Sequence, residues 1–248
     1  MIVRVEDLNF KEHGLALCYP RPKPKEFEDR LGELKALGVE ALEFSGKKLI
    51  GRLQVLGKGT SALILIARRG EERFALKVRR VDSGKPDVSH EAELTMLANR
   101  VGVGPKLYGS TKNMLLMELV DGLTLWEWFG RLENADVRVR RLLTEILRQC
   151  RRLDEAGIDH GELSRAHKHV LVRAGDIPCI LDFEKASVRR RPANVTSIAQ
   201  FLLIKGWTAA KIGETLKVDR GELLKRLKAY KAYPSEENFR KILSLIAP

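Results

Sequence analysis

The stretch LGKGTSALILIARRGEERFALKV, residues 56–78, decides how this chain folds. After a glycine-containing loop it holds two apolar runs of strand length, residues 63–67 and 74–78. Lys77 lies inside the second run, where an ammonium group costs free energy unless an opposite charge accompanies it. The stretch therefore predicts strands that border a glycine loop and hold a paired lysine.

Three shorter segments follow in order along the chain. His90-Glu91-Ala92 opens a stretch of helical spacing, and His160-Gly161-Glu162-Leu163 comes after a longer helical stripe. Leu181-Asp182-Phe183 ends an apolar run of strand length. Each segment is a weak signal by itself. Together they give an ordered set of one lysine and several carboxylates, the groups that hold phosphates and divalent cations.

The sequence pattern divides the chain into four parts. Residues 1–45 are predicted to be an N-terminal extension that packs on the next part, and residues 46–119 are rich in strands with one helix. Residues 120–204 are mainly helical, and residues 205–248 form basic helices. We therefore predict an α+β fold with a strand-rich first lobe and a compact helical second lobe.

Composition narrows the possible functions. The 248 residues carry a net charge of +12, which favours a polyanionic partner such as nucleic acid over a merely solvated basic surface. No apolar run approaches the length of a membrane span, and the N-terminus lacks a signal-peptide pattern. Cys18, Cys150 and Cys179 lie far apart without metal-ligand spacing. We therefore expect a cytoplasmic protein without a membrane partner.

The ordered set resembles the protein-kinase-like superfamily, and in particular the small archaeal kinases of the KEOPS-complex and Rio types. The resemblance covers about residues 48–204 and includes Gly102-Val103-Gly104-Pro105 and Met117-Glu118-Leu119, which resembles an adenine-binding hinge. It implies a two-lobed kinase-like fold that uses ATP and magnesium, with manganese as the alternative metal. No Ala-Pro-Glu segment follows Asp182, so we expect no long activation segment.

The resemblance also implies the residues that bind ATP. Lys77 would bridge the ATP phosphates and Glu91, with Glu93 as the alternative partner. Ala62 stands where a third glycine is usual, and an ordinary hairpin is the alternative interpretation of this loop. A structural salt bridge is the alternative interpretation of Lys77. The predicted ATP-binding residues are Leu56, Gly57, Gly59, Ala62, Lys77, Glu91, Met117, Glu118, Leu119 and Asp182.

The predicted catalytic residues are Lys77, Glu162 and Asp182. Glu162 takes the position of the aspartate that orients the acceptor hydroxyl in kinases, with Ser164 as an alternative, and Asp182 takes that of a metal ligand. His169 takes that of the metal-binding asparagine, with His167, which lies at the usual spacing, as the alternative. Imidazole is a poor magnesium ligand, so His169 would bind phosphate or a softer metal such as manganese. A zinc site of His160, His167 and His169 is a weaker alternative, because no fourth ligand is visible.

Basic segments in the second half of the chain predict contact with RNA. Residues 205–231 hold eight Lys or Arg against three acids, and residues 208–230 resemble a helix-turn-helix. Helices that only complete the lobe, and a solvated arginine run, are the alternatives. The predicted RNA-binding residues are Arg189, Arg190, Arg191, Lys211, Lys217, Lys225 and Arg226.

Three functions are compatible with this pattern. The first is an ATP-dependent kinase that phosphorylates a ribose hydroxyl of structured RNA such as tRNA, as archaeal tRNA kinases of this general kind do. The second is a Ser/Thr protein kinase, which includes autophosphorylation, with a protein substrate. The third is a pseudokinase that binds nucleotide or RNA, suggested by Glu162 and His169 at positions of other residue types.

Overall fold

The computed structural model describes residues 1–132 and 136–246, and only the backbone of Glu214. The fold is α+β with antiparallel sheets, as the sequence predicts. The chain forms two compact units. Unit 1 comprises Met1–Met96 and Pro105–Leu119, and unit 2 comprises Leu97–Gly104 and Val120–Pro248.

Unit 1 is built on an antiparallel sheet with the strand order β1-β2-β6-β7-β9-β8, and β5 pairs with β6. β3 and β4 form a separate hairpin. The long strands β6 and β7 pair over their whole length, which places Ile64 opposite Lys77. The strands of unit 1 are β1 (Ile2–Arg4), β2 (Ala41–Glu43), β3 (Lys48–Ile50), β4 (Leu53–Val55), β5 (Gly57–Lys58), β6 (Ala62–Arg69), β7 (Glu72–Arg79), β8 (Leu107–Ser110) and β9 (Met114–Glu118).

The N-terminal residues share the core of unit 1. Helices α1 (Phe10–Cys18) and α2 (Pro24–Ala36) bury Leu17, Phe27 and Leu34 in the same apolar cluster as the sheet. Helix α3 (Ser89–Arg100) follows β7 along the chain and carries Glu91 in its first turn. Residues 1–45 are thus part of the sheet and its core rather than a separate layer of structure.

Unit 2 combines a small antiparallel sheet, in the order β10-β11-β12, with helices. The longest helix, α5, buries the apolar stripe that its sequence predicts, including Leu142, Ile146 and Leu153. The elements of unit 2 are β10 (Leu123–Thr124), α4 (Leu125–Gly130), α5 (Asp136–Glu155), β11 (Val170–Arg173), β12 (Ile177–Ile180), α6 (Asn194–Leu203), α7 (Gly206–Thr215), α8 (Arg220–Ala232) and α9 (Glu236–Leu243).

The C-terminal helices are packed into unit 2. Leu223, Leu227 and Tyr230 form the buried face of α8, and the Tyr230 hydroxyl donates to Asp154 Oδ2 at 2.9 Å. The helix-turn-helix-like pair of the sequence corresponds to α7 and α8, which residues 216–219 connect. These helices therefore complete the core of unit 2, whatever else their exposed faces do.

Two simpler expectations from composition can be compared with the structure. Within residues 1–132 and 136–246, no helix combines the length and apolar character needed to cross a membrane. The three cysteines are free thiols, and each is buried.

Candidate functional site

Lys77 and Glu91 form a buried ion pair in unit 1. Lys77 Nζ lies 2.7 Å from Glu91 Oε1, and both side chains are less than a tenth exposed. The strand position of Lys77 and the first turn of α3 bring the two charges together, whereas the alternative partner Glu93 is exposed. Burying a charge costs free energy unless an opposite charge accompanies it, which accounts for the pairing. The strand and the helix fix the positions of the two groups.

The glycine loop before β6 is a tight hairpin. Gly57 pairs with Ile64, and the Gly59 amide donates to the carbonyl oxygen of Ala62 at 2.8 Å. Arg80 Nη1 donates to the Gly59 carbonyl at 2.9 Å from the far end of β7. This geometry is that of an ordinary hairpin. Phosphate binding by the loop stays a prediction.

The predicted hinge residues lie at the end of β9. Met117 pairs with Ala75 of β7, and the Glu118 amide donates to the Lys106 carbonyl at 2.8 Å. Leu119 is the last residue of unit 1. Nothing in this arrangement identifies adenine as a ligand, so that role also stays a prediction.

In unit 2 the side chains of Glu162, His169 and Asp182 converge. Their nearest ligand atoms all lie within 4.8 Å of one another. His169 Nε2 is 3.9 Å from Glu162 Oε2, and His169 Nδ1 is 3.8 Å from Asp182 Oδ2. The alternative histidine His167 is exposed and stacks on Phe201 instead, with ring centroids 6.0 Å apart. Of the two histidines considered for this position, His169 is the one that joins the carboxylates.

Backbone pairing holds this group in place. The Leu181 amide donates to the His169 carbonyl at 2.8 Å, and Asp159 and Ser187 exchange hydrogen bonds between their backbones. Gly161 makes the close approach possible, because a side chain there would come within 2.8 Å of the Lys185 carbonyl oxygen and closer still to Arg190. Its positive φ of 83° is a further reason for glycine at this position.

Asp182 has a backbone conformation that side chains rarely adopt. Its φ is +69°, in the left-handed region, and asparagine and aspartate tolerate that region better than most residues. The adjacent Phe183 is buried, and its ring approaches Gly104 so closely that an added Cβ would lie 2.8 Å from Cε2. The buried ring anchors the segment while the strained residue next to it turns its carboxylate toward His169.

His160 packs beside this group, and the candidate ligand sets among the described residues do not include it. It is fully buried, and Nε2 donates to the Leu181 carbonyl at 2.9 Å. Burial lowers the pKa of His160, so its ring is neutral at neutral pH. Its ring packs on Phe183 and His169, with centroid distances of 5.1 and 5.5 Å. This packing explains the histidine before Gly161 without a zinc ion.

The sequence did not reveal two partners of this group. Lys185 Nζ donates to Glu162 Oε1 at 2.8 Å, and that hydrogen bond raises the pKa of Lys185. The Asn194 side chain accepts from the His160 amide at 2.8 Å and donates to Asp154. Burial raises the pKa of Asp154 despite the hydrogen bonds it accepts. These partners are distant in sequence and belong to no motif; only the fold brings them near.

The predicted RNA-binding residues divide into two kinds. Arg190 is tied to Asp159 at 2.8 Å, and Arg191 donates to the carbonyls of Lys231 and Ala232 at the end of α8. Arg226 is tied to Glu222 and to carbonyl and hydroxyl oxygens of α9 and the residue that follows it. These three arginines hold unit 2 together. Exposed positions are occupied by Arg189, Lys217 and Lys225, while Lys211 is half-buried.

Comparisons with known proteins add little about activity. No protein-family model matches the chain. The chain is similar to an uncharacterized protein of Methanocaldococcus jannaschii, with 29% identity over 107 residues. The aligned region is 43% of this chain and 89% of that protein. This likeness assigns neither a family nor an activity.

Proposed function

We propose that this chain is an ATP-dependent phosphotransferase that phosphorylates a ribose hydroxyl of structured RNA such as tRNA. The observation that carries the proposal is the buried pair of Lys77 and Glu91 at 2.7 Å. A buried ion pair is often no more stabilising than apolar residues of similar volume, so stability alone is a weak reason to keep one. An ammonium held at a fixed place is, by contrast, what phosphate recognition requires.

Unit 2 supports the proposal through its ligand chemistry. Two carboxylates and an imidazole within 4.8 Å of one another are a suitable donor set for a divalent cation. His169 Nδ1 is buried and has no hydrogen-bond partner among the described residues, which leaves its lone pair available to a cation. Because one donor is nitrogen, the set suits manganese better than magnesium. The bound nucleotide would supply the transferable phosphoryl group, and the cation would offset its charge.

Glu162 is the residue we assign to the acceptor hydroxyl. Its carboxylate is less than a fifth exposed, and Lys185 holds one of its oxygens at 2.8 Å. This hydrogen bond fixes the rotamer of a side chain one methylene longer than aspartate, which offsets the loss of precision that length brings. The alternative residue Ser164 is exposed on the neighbouring helical segment.

RNA is the acceptor that the charge favours. The chain carries a net charge of +12, and Lys225, Lys228 and Lys231 lie on the exposed face of α8. Their spacing of three residues places them along one side of the helix. Such a row suits a phosphate backbone more than a neutral peptide.

Label transfer from γ-labelled ATP tests the proposal. Wild-type protein and Asp182→Asn would be offered total tRNA and a total protein extract separately, with magnesium or manganese. We expect label in tRNA with the wild type and none with the variant, and nuclease should release the label as a nucleotide. Label only in protein would favour a Ser/Thr protein kinase. Nucleotide binding without any transfer would favour a pseudokinase.

A further inference from the structure

Two exposed tryptophans from different helices form a stacked pair on unit 2. Trp126 of α4 and Trp207 of α7 have ring centroids 3.9 Å apart and planes inclined by 29°. Trp126 is 58% exposed and Trp207 is 41% exposed. Single exposed apolar residues are ordinary on protein surfaces, but two large indoles brought together from separate helices make a continuous aromatic surface.

Both helices bury other side chains besides the pair. Helix α4 already buries Leu125, Trp128 and Phe129, and α7 buries Ala209 and Ile212. The buried ring of Phe129 packs edge-on against Trp207, with ring centroids 6.3 Å apart, and this contact supports the pair. A rigid aromatic surface that its own fold leaves uncovered suits a flat ligand.

Exposed basic residues lie close to the pair in sequence. Lys205 precedes Trp207 by two residues, Arg131 follows α4, and both side chains are exposed. The nearest acid in sequence, Glu127, is occupied in the capping box with Thr124. Aromatic rings beside cations match the unpaired bases and the phosphates of a nucleic-acid strand.

The place of the pair in the fold also fits a nucleic-acid strand. Helix α6 packs against α7 and also against the helical segment Leu163–Lys168. That segment begins directly after Glu162, the residue assigned to the acceptor hydroxyl. Helix α6 thus contacts both the helix that carries Trp207 and the segment that follows Glu162, and all of these lie in unit 2.

We propose that Trp126 and Trp207 form a stacking platform for an unpaired segment of the RNA substrate. This inference rests on the proposed function for the identity of the ligand. The platform would hold a base of a loop or of a single-stranded end, while Lys205 and Arg131 contact the adjoining phosphates. Stacking tolerates any base, so the platform would position the RNA without reading its sequence.

Binding of a fluorescein-labelled short single-stranded RNA, measured by anisotropy, tests the platform. Trp126→Ala and Trp207→Ala should each weaken binding by about five-fold to 150-fold, the range that loss of one stacked base gives. The slope of log affinity against log salt should stay unchanged, because no phosphate contact is removed. Trp126→Phe should retain most of the affinity. An RNA of the same length with abasic positions should bind wild type as weakly as the alanine variants bind the intact RNA.

A matched control is Tyr108→Ala in unit 1, which removes an exposed ring that pairs with Phe74. It should leave RNA affinity unchanged, and circular dichroism should show that every variant is folded. Equal affinity of wild type and both alanine variants would overturn the platform, as would a dimer that these variants alone dissociate. If wild type labels RNA in the transfer assay while the tryptophan variants bind normally, the platform fails and the proposed function stands. If wild type labels no RNA, the proposed function fails and anisotropy alone decides the platform.

Discussion

The two candidate phosphate-binding regions differ in how their charged side chains are buried and arranged. In unit 1 a single lysine and a single glutamate are buried together at 2.7 Å, with their positions fixed by a strand and a helix. In unit 2 three potential ligands lie within 4.8 Å on loops around β11 and β12, where His169 is buried and the two carboxylates are partly exposed. The buried pair is preformed, whereas the two carboxylates in unit 2 keep access to solvent. Substitutions at the pair should therefore change stability as well as transfer, and those in unit 2 should chiefly change transfer.

The largest stability effect should come from breaking the buried pair. Lys77→Met removes the ammonium that lies 2.7 Å from the buried Glu91 carboxylate, so the free energy of unfolding should fall by about 3–5 kcal/mol. The double variant Lys77→Met/Glu91→Leu should recover most of that loss, because both charges of the pair are removed together. Urea denaturation measures both values.

An exposed pair on the same strand serves as the control. Arg73 of β7 and Glu43 lie 2.8 Å apart, but Arg73 is nearly half exposed. Arg73→Met should cost less than about 1 kcal/mol, because solvent screens such pairs. Equal costs for Arg73→Met and Lys77→Met would mean that burial is not what distinguishes the Lys77 pair.

In unit 2 the largest effect should fall on transfer rather than on stability. Asp182→Gly should lower the transfer rate roughly a thousandfold, since a charged cation ligand is lost. The same change removes the strain of φ +69°, so Asp182→Gly should be more stable than Asp182→Ala by about 1 kcal/mol. Initial rates and thermal melts of the two variants check both parts. A glycine variant that keeps its rate would remove Asp182 from the site.

Several elements could be predicted from the sequence, because their signals lie within short stretches of the chain. The lysine in an apolar strand and the stripe of α5 are periodic patterns, and the structure forms both elements. Helix α1 was not predicted, because it is short and contains a glycine. Short helices depend on packing more than on their own pattern.

The partners of Glu162 and His160 could not be predicted for a different reason. Lys185 is 23 residues from Glu162, and Asn194 is 34 residues from His160. The positions depend on how β12 and α6 return to the loop, and no periodicity encodes that path. The same holds for Trp126 and Trp207, which look like two unrelated aromatics until α4 and α7 bring them together.

The identity of the third ligand should set the preferred metal. His169→Asn replaces an imidazole nitrogen with an amide oxygen, which magnesium prefers. The ratio of the magnesium-supported rate to the manganese-supported rate should therefore rise roughly tenfold or more. His167→Asn is the control, since His167 stacks on Phe201 away from the carboxylates. An unchanged ratio in His169→Asn would show that His169 contacts no metal.

A smaller effect is expected where an exposed cation only orients a carboxylate. Lys185→Ala should reduce the transfer rate about tenfold by freeing the Glu162 rotamer, with little change in KM for ATP. Lys185→Arg should keep most of the rate, because a cationic donor remains. Lys241→Ala removes an exposed lysine that pairs with Glu237 on α9, and it should leave the rate unchanged. A loss of ATP affinity in Lys185→Ala would instead place this lysine on the nucleotide.

The smallest effect should come from an exposed pair that has good geometry. Arg138 holds Asp176 through two hydrogen bonds of 2.7 Å, and these lower the pKa of Asp176 below its ordinary value of 3.8. A depressed carboxyl pKa contributes stability above the unfolded value, and that stability is lost as the pH falls through the folded value. Since Arg138 is more than half exposed, Arg138→Ala should cost under about 1 kcal/mol at pH 7.

The pH dependence checks this last point. The difference in unfolding free energy between wild type and Arg138→Ala should shrink as the pH is lowered below about 4. A difference that stays constant down to pH 2 would mean that packing on Trp128, rather than the charge pair, accounts for the loss.

The most direct test of the central claim is single-turnover transfer from γ-labelled ATP to total tRNA by Lys77→Met/Glu91→Leu. This double variant should be folded and nearly as stable as wild type, because it removes both charges of the buried pair together. If the buried pair serves phosphate binding, the double variant should label no tRNA under conditions in which wild type does. Transfer at the wild-type rate by the folded double variant would contradict the account, since the pair would then be structural.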